Sequence, residues 1–267
     1  MAGWTMNGSN NQSHKISDEG WSWVWLPFRL LWRVWFYVSI FLAIVLVFPF
    51  ITLFSLKPEW YKYFFYFERT WAYIVTLITG FIPVVKNRHY IQKDKQYIIT
   101  ANHTSMMDIM MTLIAVPNTF LFIGKKELAR YPLFGYYYRR TNILVDRKSL
   151  TSKRHVYWQA ADKIAKGYSV CIFPEGGIPD ESIELAPFKM GAFKLAIETR
   201  TDILPISFPS TKKHFPYSIF RGYPGILKAI IHPPVQVSKL RFVTEEELRD
   251  KVYNLILAGM RSENFDD

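Results

Sequence analysis

The sequence predicts an α/β domain on a largely central sheet, preceded by a membrane-seeking helical segment. Three observations carry this reading. After Pro83, short apolar runs alternate with amphipathic stretches, as strands interleaved with helices do. Before it, residues 34–56 read VWFYVSIFLAIVLVFPFITLFSL, without one charged side chain. No internal repeat or low-complexity linker interrupts the 267 residues, a length that suits one sizeable domain with an appendage.

From the N-terminus, residues 1–20 are polar and rich in Asn, Ser and Gly, and lack the basic start and short apolar core of a secretory signal. They are expected to form a disordered tail, with any catalytic face on the cytoplasmic side. Residues 21–83 are expected to form a membrane-associated helical hairpin. The uncharged run is long enough to cross a bilayer, which takes about 20 apolar residues. Trp21, Trp23, Trp25, Trp32 and Trp35, with Arg29 and Arg33 among them, read as interface anchors. A second apolar segment, 71–85, is broken by Gly80 and Pro83. The pair fits either a hairpin through the bilayer or one sunk into a single leaflet, and cations on both sides of the first segment leave the choice open.

Residues 84–267 are expected to be the α/β domain. Strands are expected at 84–85, 97–101, 119–123, 142–145, 169–173, 203–208 and 225–231, and helices at 107–116, 151–166, 189–199 and 244–260. Thr244 before Glu245, Glu246 and Glu247 predicts an N-cap with a dipole-matched first turn. The basic residues Lys153, Arg154, His155, Lys163 and Lys166 read as a solvated helix face or, alternatively, as a contact to anionic headgroups.

Composition narrows the function. The formal charge is +11, which suits a nucleic acid, an anionic membrane surface or a phosphorylated substrate. Zinc-finger spacing, a P-loop and a dinucleotide glycine pattern are all absent. The single cysteine, Cys171, excludes an intrachain disulfide and reads as a small core hydrophobe.

The chemistry is expected near Asn102-His103-Thr104-Ser105-Met106-Met107-Asp108. Residues five apart in a helix are about 140° apart around its axis, so His103 and Asp108 meet only if His103 lies in the turn before a helix that Asp108 opens. One imidazole nitrogen would then face the carboxylate, and the other would be free to act as a base on a substrate hydroxyl attacking a thioester. Alone, this spacing also fits a capping aspartate beside a turn histidine. Ser105 near His103 raises a serine hydrolase, but no G-x-S-x-G elbow is present.

Three further segments follow. Gly124-Lys125-Lys126-Glu127-Leu128 leads to Pro132, Gly135 and Arg147, where Arg147 and Lys125 could hold a phosphate. Phe173-Pro174-Glu175-Gly176-Gly177 follows a strand, and its glycines let backbone N–H groups approach an anion. Ile203-Leu204-Pro205-Ile206 is an apolar strand that could line an acyl channel.

Together, in this order, the four blocks resemble the 1-acylglycerol-3-phosphate O-acyltransferases and their glycerolipid acyltransferase relatives. The match covers roughly residues 98–206. The resemblance implies an α/β fold with a mixed, partly parallel sheet and an N-terminal two-helix membrane element. It implies acyl transfer from acyl-CoA or acyl-carrier protein to a lysolipid hydroxyl, giving phosphatidic acid when the acceptor is 1-acylglycerol 3-phosphate. His103 would be the base and Asp108 its orienter. Lys125, Arg147, Glu175, Gly176 and Gly177 would position the acceptor. No metal, cofactor or nucleic acid is implied, and the expected location is the cytoplasmic face of the cell membrane. Nothing in the sequence fixes the oligomeric state. The third block departs from the family: Gly177, Ile178 and Pro179 stand where Thr-Arg and often Ser follow Glu-Gly. Either Lys189 replaces the missing charge, or the acceptor is another lysolipid.

Overall fold

A computed structural model describes residues 25–146, 149–239 and 244–262. The 1–20 tail and Arg147 lie outside the described residues. Seven strands form one sheet: β1 (Phe81–Lys86), β2 (Ile98–Ala101), β3 (Phe120–Lys125), β4 (Ile143–Val145), β5 (Ser169–Ile172), β6 (Ile203–Ser207) and β7 (Gly225–Ile231). Their order is β1-β7-β6-β2-β5-β3-β4. Strands β6, β2, β5, β3 and β4 are mutually parallel; β7 runs antiparallel to β6, with β1 parallel to β7. The mixed, partly parallel sheet is the one expected.

The described residues also form eight α-helices, besides short 3-10 turns: α1 (Leu26–Phe54), α2 (Tyr61–Ile78), α3 (Met107–Ala115), α4 (Phe134–Thr141), α5 (Leu150–Ala165), α6 (Gly191–Thr199), α7 (Thr211–His214) and α8 (Glu245–Arg261). Two apolar cores follow from the period-2 alternation of the strands. Ile99, Cys171 and Leu204 face α1, α2 and α3. Their neighbours Ile98, Val170 and Ile203 face α5, α6 and α8. The central strands are therefore apolar on both faces, as parallel strands covered by helices must be.

The second apolar segment differs from its sequence reading. Helix α2 begins at Tyr61, about ten residues early, and ends at Ile78; Gly80, at φ +84°, turns the chain into β1. Strand β1 therefore starts at Phe81, inside the stretch read as hairpin. Pro83, which lacks a donor, is tolerated because β1 is an edge strand. Helix α4 was not expected, because Phe134-Gly135-Tyr136-Tyr137-Tyr138 is aromatic and poor in helix formers.

Helix α1 has the length and apolar composition to cross a membrane. Yet it lies along the domain. Its buried residues Arg33, Phe36, Ser39, Ala43 and Ile51 form one stripe. At one end Phe36 packs on Phe81 and Phe215; towards the other Phe48 packs on Tyr136 and Tyr137. The opposite face exposes Leu31, Val34, Phe41, Leu42, Val45, Leu46 and Leu53. Helix α2 is pinned beneath it by Tyr61 Oη, which donates to Phe120 O at 2.9 Å.

Helix α8 has the predicted N-cap at Thr244, and the structure extends it to a capping box with reciprocal Thr244–Glu247 hydrogen bonds. Further along, Ser207 Oγ donates to Ile256 O at 2.8 Å, so its oxygen is left to accept from His232 Nε2 at 2.8 Å. Burial lowers the His232 pKa from 6.5 to about 4. The unfolded chain then binds the proton more tightly. Stability is complete above pH 6.5 and falls as the pH drops towards 4, by about 3 kcal/mol at most. Denaturant unfolding of wild type and His232→Gln across this range should show a flatter pH dependence for the variant. Equal slopes would remove His232 as the cause.

Candidate active site

The C-terminal ends of β2, β5 and β3 lie side by side, the usual place for a site in an open parallel sheet. Residues 102–106 leave β2 as a tight turn into α3. Asp108 sits in the first turn of α3 and is fully buried. Its Oδ2 accepts from Thr104 N at 2.7 Å and Ser105 N at 2.8 Å, which fixes the turn. The same oxygen lies 3.2 Å from His103 Nδ1. Since Oδ2 can only accept, Nδ1 carries the proton and Nε2 is left with its lone pair. Among the described residues nothing hydrogen-bonds Nε2. The imidazole is partly exposed and stacks on Phe173, with centroids 4.1 Å apart.

Neighbouring residues hold the pair. Asn102 bonds Phe208 in both directions, Nδ2 to its O at 3.2 Å and Oδ1 from its N at 2.7 Å, tying the end of β2 to that of β6. Ser105 Oγ donates to Phe215 O at 2.6 Å and accepts from Met107 N. That hydroxyl is buried and committed, so it is poorly placed as a nucleophile. Arg88 Nη2 and Arg69 Nη2 donate to Ile114 O at the C-terminus of α3, where cations suit the helix dipole.

Glu175 is buried in the turn after β5. Oε1 accepts His103 N at 2.6 Å and Oε2 accepts Ala186 N at 2.9 Å. Burial pushes its carboxyl above the ordinary range, opposed by these two bonds. Both oxygens serve the backbone, so Glu175 acts here as a clamp on His103 and the 178–186 segment. Gly176 has φ +77°, and a Cβ there would collide with Lys189 Nζ. Lys189 N in turn donates to Pro174 O at 2.8 Å. The structure thus brings His103, Asp108, Glu175, Gly176, Gly177 and Lys189 together. Lys125 lies on the same edge, exposed at the end of β3, two strands or about 10 Å from β2. Among the described residues no group of three or more His, Cys, Asp or Glu could hold a metal ion.

Glu175→Ala should leave two backbone N–H groups unmatched, at a cost of about 1–3 kcal/mol. Thermal unfolding should show that loss, and Glu175→Gln should recover part of it.

Residues 83–209 match a family model described as Acyltransferase. A solved structure, the 1-acyl-sn-glycerophosphate acyltransferase PlsC of Thermotoga maritima, superposes with a TM-score of 0.74 at 28% identity, covering 89% of this chain and 95% of that one. The chain therefore carries an acyltransferase domain and is similar to 1-acyl-sn-glycerol-3-phosphate acyltransferases. Among curated relatives, the chloroplastic 1-acyl-sn-glycerol-3-phosphate acyltransferase BAT2 of Brassica napus is 28% identical over 224 residues, 80% of this chain and 62% of that protein. The 1-acyl-sn-glycerol-3-phosphate acyltransferase of Borreliella burgdorferi is 26% identical over 186 residues, 69% of this chain and 74% of its own.

Three residues of this chain were not singled out as site residues in the sequence. Phe173 supports the imidazole face. Lys212 Nζ donates to Ile183 O at 2.7 Å, beside the 178–186 segment. Arg33, read as an interface anchor, is instead buried: its Nη2 donates to the carbonyls of Pro216, Ser218 and Arg221 at 2.7–2.8 Å. An arginine inside an otherwise apolar stretch was the only signal for that role.

Proposed function

We propose that this chain is an O-acyltransferase that moves an acyl group from acyl-CoA or acyl-carrier protein to 1-acylglycerol 3-phosphate, giving phosphatidic acid. The observation that carries this is His103, with Nδ1 turned to Asp108 and Nε2 open at the sheet edge. The activities for which the relatives are named supply the substrate class.

His103 Nε2 takes the proton of the acceptor hydroxyl as its oxygen attacks the thioester carbonyl. The tetrahedral intermediate collapses to an ester, and the departing thiolate takes the proton from the imidazolium. Asp108 holds the tautomer and steadies the imidazolium. Proton transfer at His103 suffices for this step, so the scheme uses no metal or cofactor. Lys125, Lys189 and Arg147 are the proposed cations for the acceptor phosphate.

The protein would work on the cytoplasmic face of the membrane, with α1 lying in one leaflet. A helix packed along its whole length on an α/β domain would drag that domain into the hydrocarbon if it stood across the bilayer. Residues 21–83 would provide this element and 84–267 most of the catalytic domain.

The replacement of the family's Thr-Arg by Gly177, Ile178 and Pro179 favours a second reading, with another lysolipid as acceptor. A screen with labelled acyl-CoA decides. The first reading predicts the highest kcat/KM for lysophosphatidic acid, lost with His103→Ala. A higher value for another lysolipid selects the second. In the same assay Lys189→Ala should raise the acceptor KM more than the donor KM; equal changes would argue against a phosphate contact.

A further inference from the structure

The 215–226 segment is not explained by the chemistry. It exposes Tyr217 at 74%, Phe220 at 50%, Ile219 at 50% and Ile226 at 45%. Nonetheless it is firmly held. Arg33 of α1 bonds three of its carbonyls and lies 3.9 Å over the Phe215 ring. Glu181 accepts from Ser218 N at 3.1 Å and pairs with Arg221 Nη1 at 3.0 Å. Phe215 O accepts from Ser105 in the turn that carries His103. A loop tip tied down by these bonds, with aromatic and aliphatic side chains turned to the outside, calls for a partner.

The exposed apolar surface continues from this tip onto α1. Trp35 Nε1 donates to Ile78 O and Trp32 Nε1 to Thr79 O, joining α1 to the end of α2. A Cβ at Gly80 would meet Pro224 Cβ at 2.9 Å, so that turn packs on the loop. Ile82 and Ile226 are paired across β1 and β7, and both are exposed. Trp35, Leu77, Ile78, Ile82, Ile226 and Phe220 therefore extend the lipid-facing side of α1. Lys212 and Lys213 precede the loop, and cations beside aromatics suit the headgroup boundary.

We propose that the 216–223 loop is a second lipid-contacting element, seated in the headgroup–acyl boundary beside α1. Arg33 locks it to the membrane helix, and the contact holds the mouth of the His103 site against the bilayer. This rests on the one-leaflet reading of α1 and adds a contact that reading does not require.

Cys171 is buried, and a Cys171→Ala background accepts single reporter cysteines. Ile219→Cys, Leu46→Cys on α1 and Trp158→Cys on α5 would each carry an environment-sensitive dye on the full chain. The chain would be placed in vesicles of phosphatidylethanolamine and phosphatidylglycerol with or without a spin-labelled lipid. The proposal predicts blue-shifted, lipid-quenched emission at 219 and 46, and aqueous emission at 158. Quenching at 46 with aqueous emission at 219 overturns the loop contact and leaves α1 in the membrane. Quenching at neither overturns both. Blue-shifted emission at 219 without lipid quenching means a protein partner, such as a second copy, and also overturns it. Tyr217→Ser with Phe220→Ser should lower turnover on vesicle-embedded acceptor roughly tenfold or more. Turnover on a monomeric short-chain acceptor should stay unchanged; an equal loss on both would contradict the proposal.

Discussion

His103→Ala should lower kcat for acyl transfer by about 10²- to 10⁴-fold, the usual contribution of a positioned general base. The side chain is partly exposed and packs mainly on Phe173, so its removal leaves the sheet and its two cores intact. The melting temperature and vesicle binding should therefore stay near those of the wild type. The backbone N–H of residue 103 still donates to Glu175, so the turn persists. Turnover within a few-fold of wild type would show that another group accepts the proton.

Asp108→Asn should have the second-largest effect, a fall in kcat of about 10²- to 10⁴-fold with little change in either KM. The amide oxygen can take the place of Oδ2 and accept from Thr104 N and Ser105 N, so the turn is preserved. Its NH₂ would then occupy the site of Oδ1, a buried oxygen with no partner among the described residues. What is lost is the negative charge beside the imidazole, which is needed when Nε2 gains its proton. An unchanged kcat would mean that the 3.2 Å contact with His103 is structural. A large rise in acceptor KM instead would assign Asp108 to binding.

Much of this architecture was legible in the chain because local pattern and tertiary role agree. Apolar runs such as Ile98-Ile99 and Val170-Cys171 are buried on both faces of the sheet, so they announce central strands without ambiguity. The His103–Asp108 turn was equally accessible, since helix geometry allows only one way for those residues to meet. Other features depend on partners distant in sequence. Gly80 and Pro83 signal a break, but only the edge position of β1 turns that break into a strand. Glu175 looks like an exposed turn carboxylate until the backbone of His103, 72 residues earlier, is brought beside it. Arg33 is the extreme case: its partners lie more than 180 residues away, and its neighbours are aromatic enough to suggest an interface.

The central claim is that the acceptor's own hydroxyl is the nucleophile and that His103 removes its proton. The most direct test is a time course of CoA thiol release from labelled acyl-CoA, with and without lysophosphatidic acid, in parallel with ester formation. The account predicts thiol release that requires the acceptor, matches ester formation one for one, and vanishes in His103→Ala. Thiol released at an undiminished rate without acceptor, or as an early burst equal to the enzyme present, would instead show hydrolysis or an acyl-enzyme and contradict it.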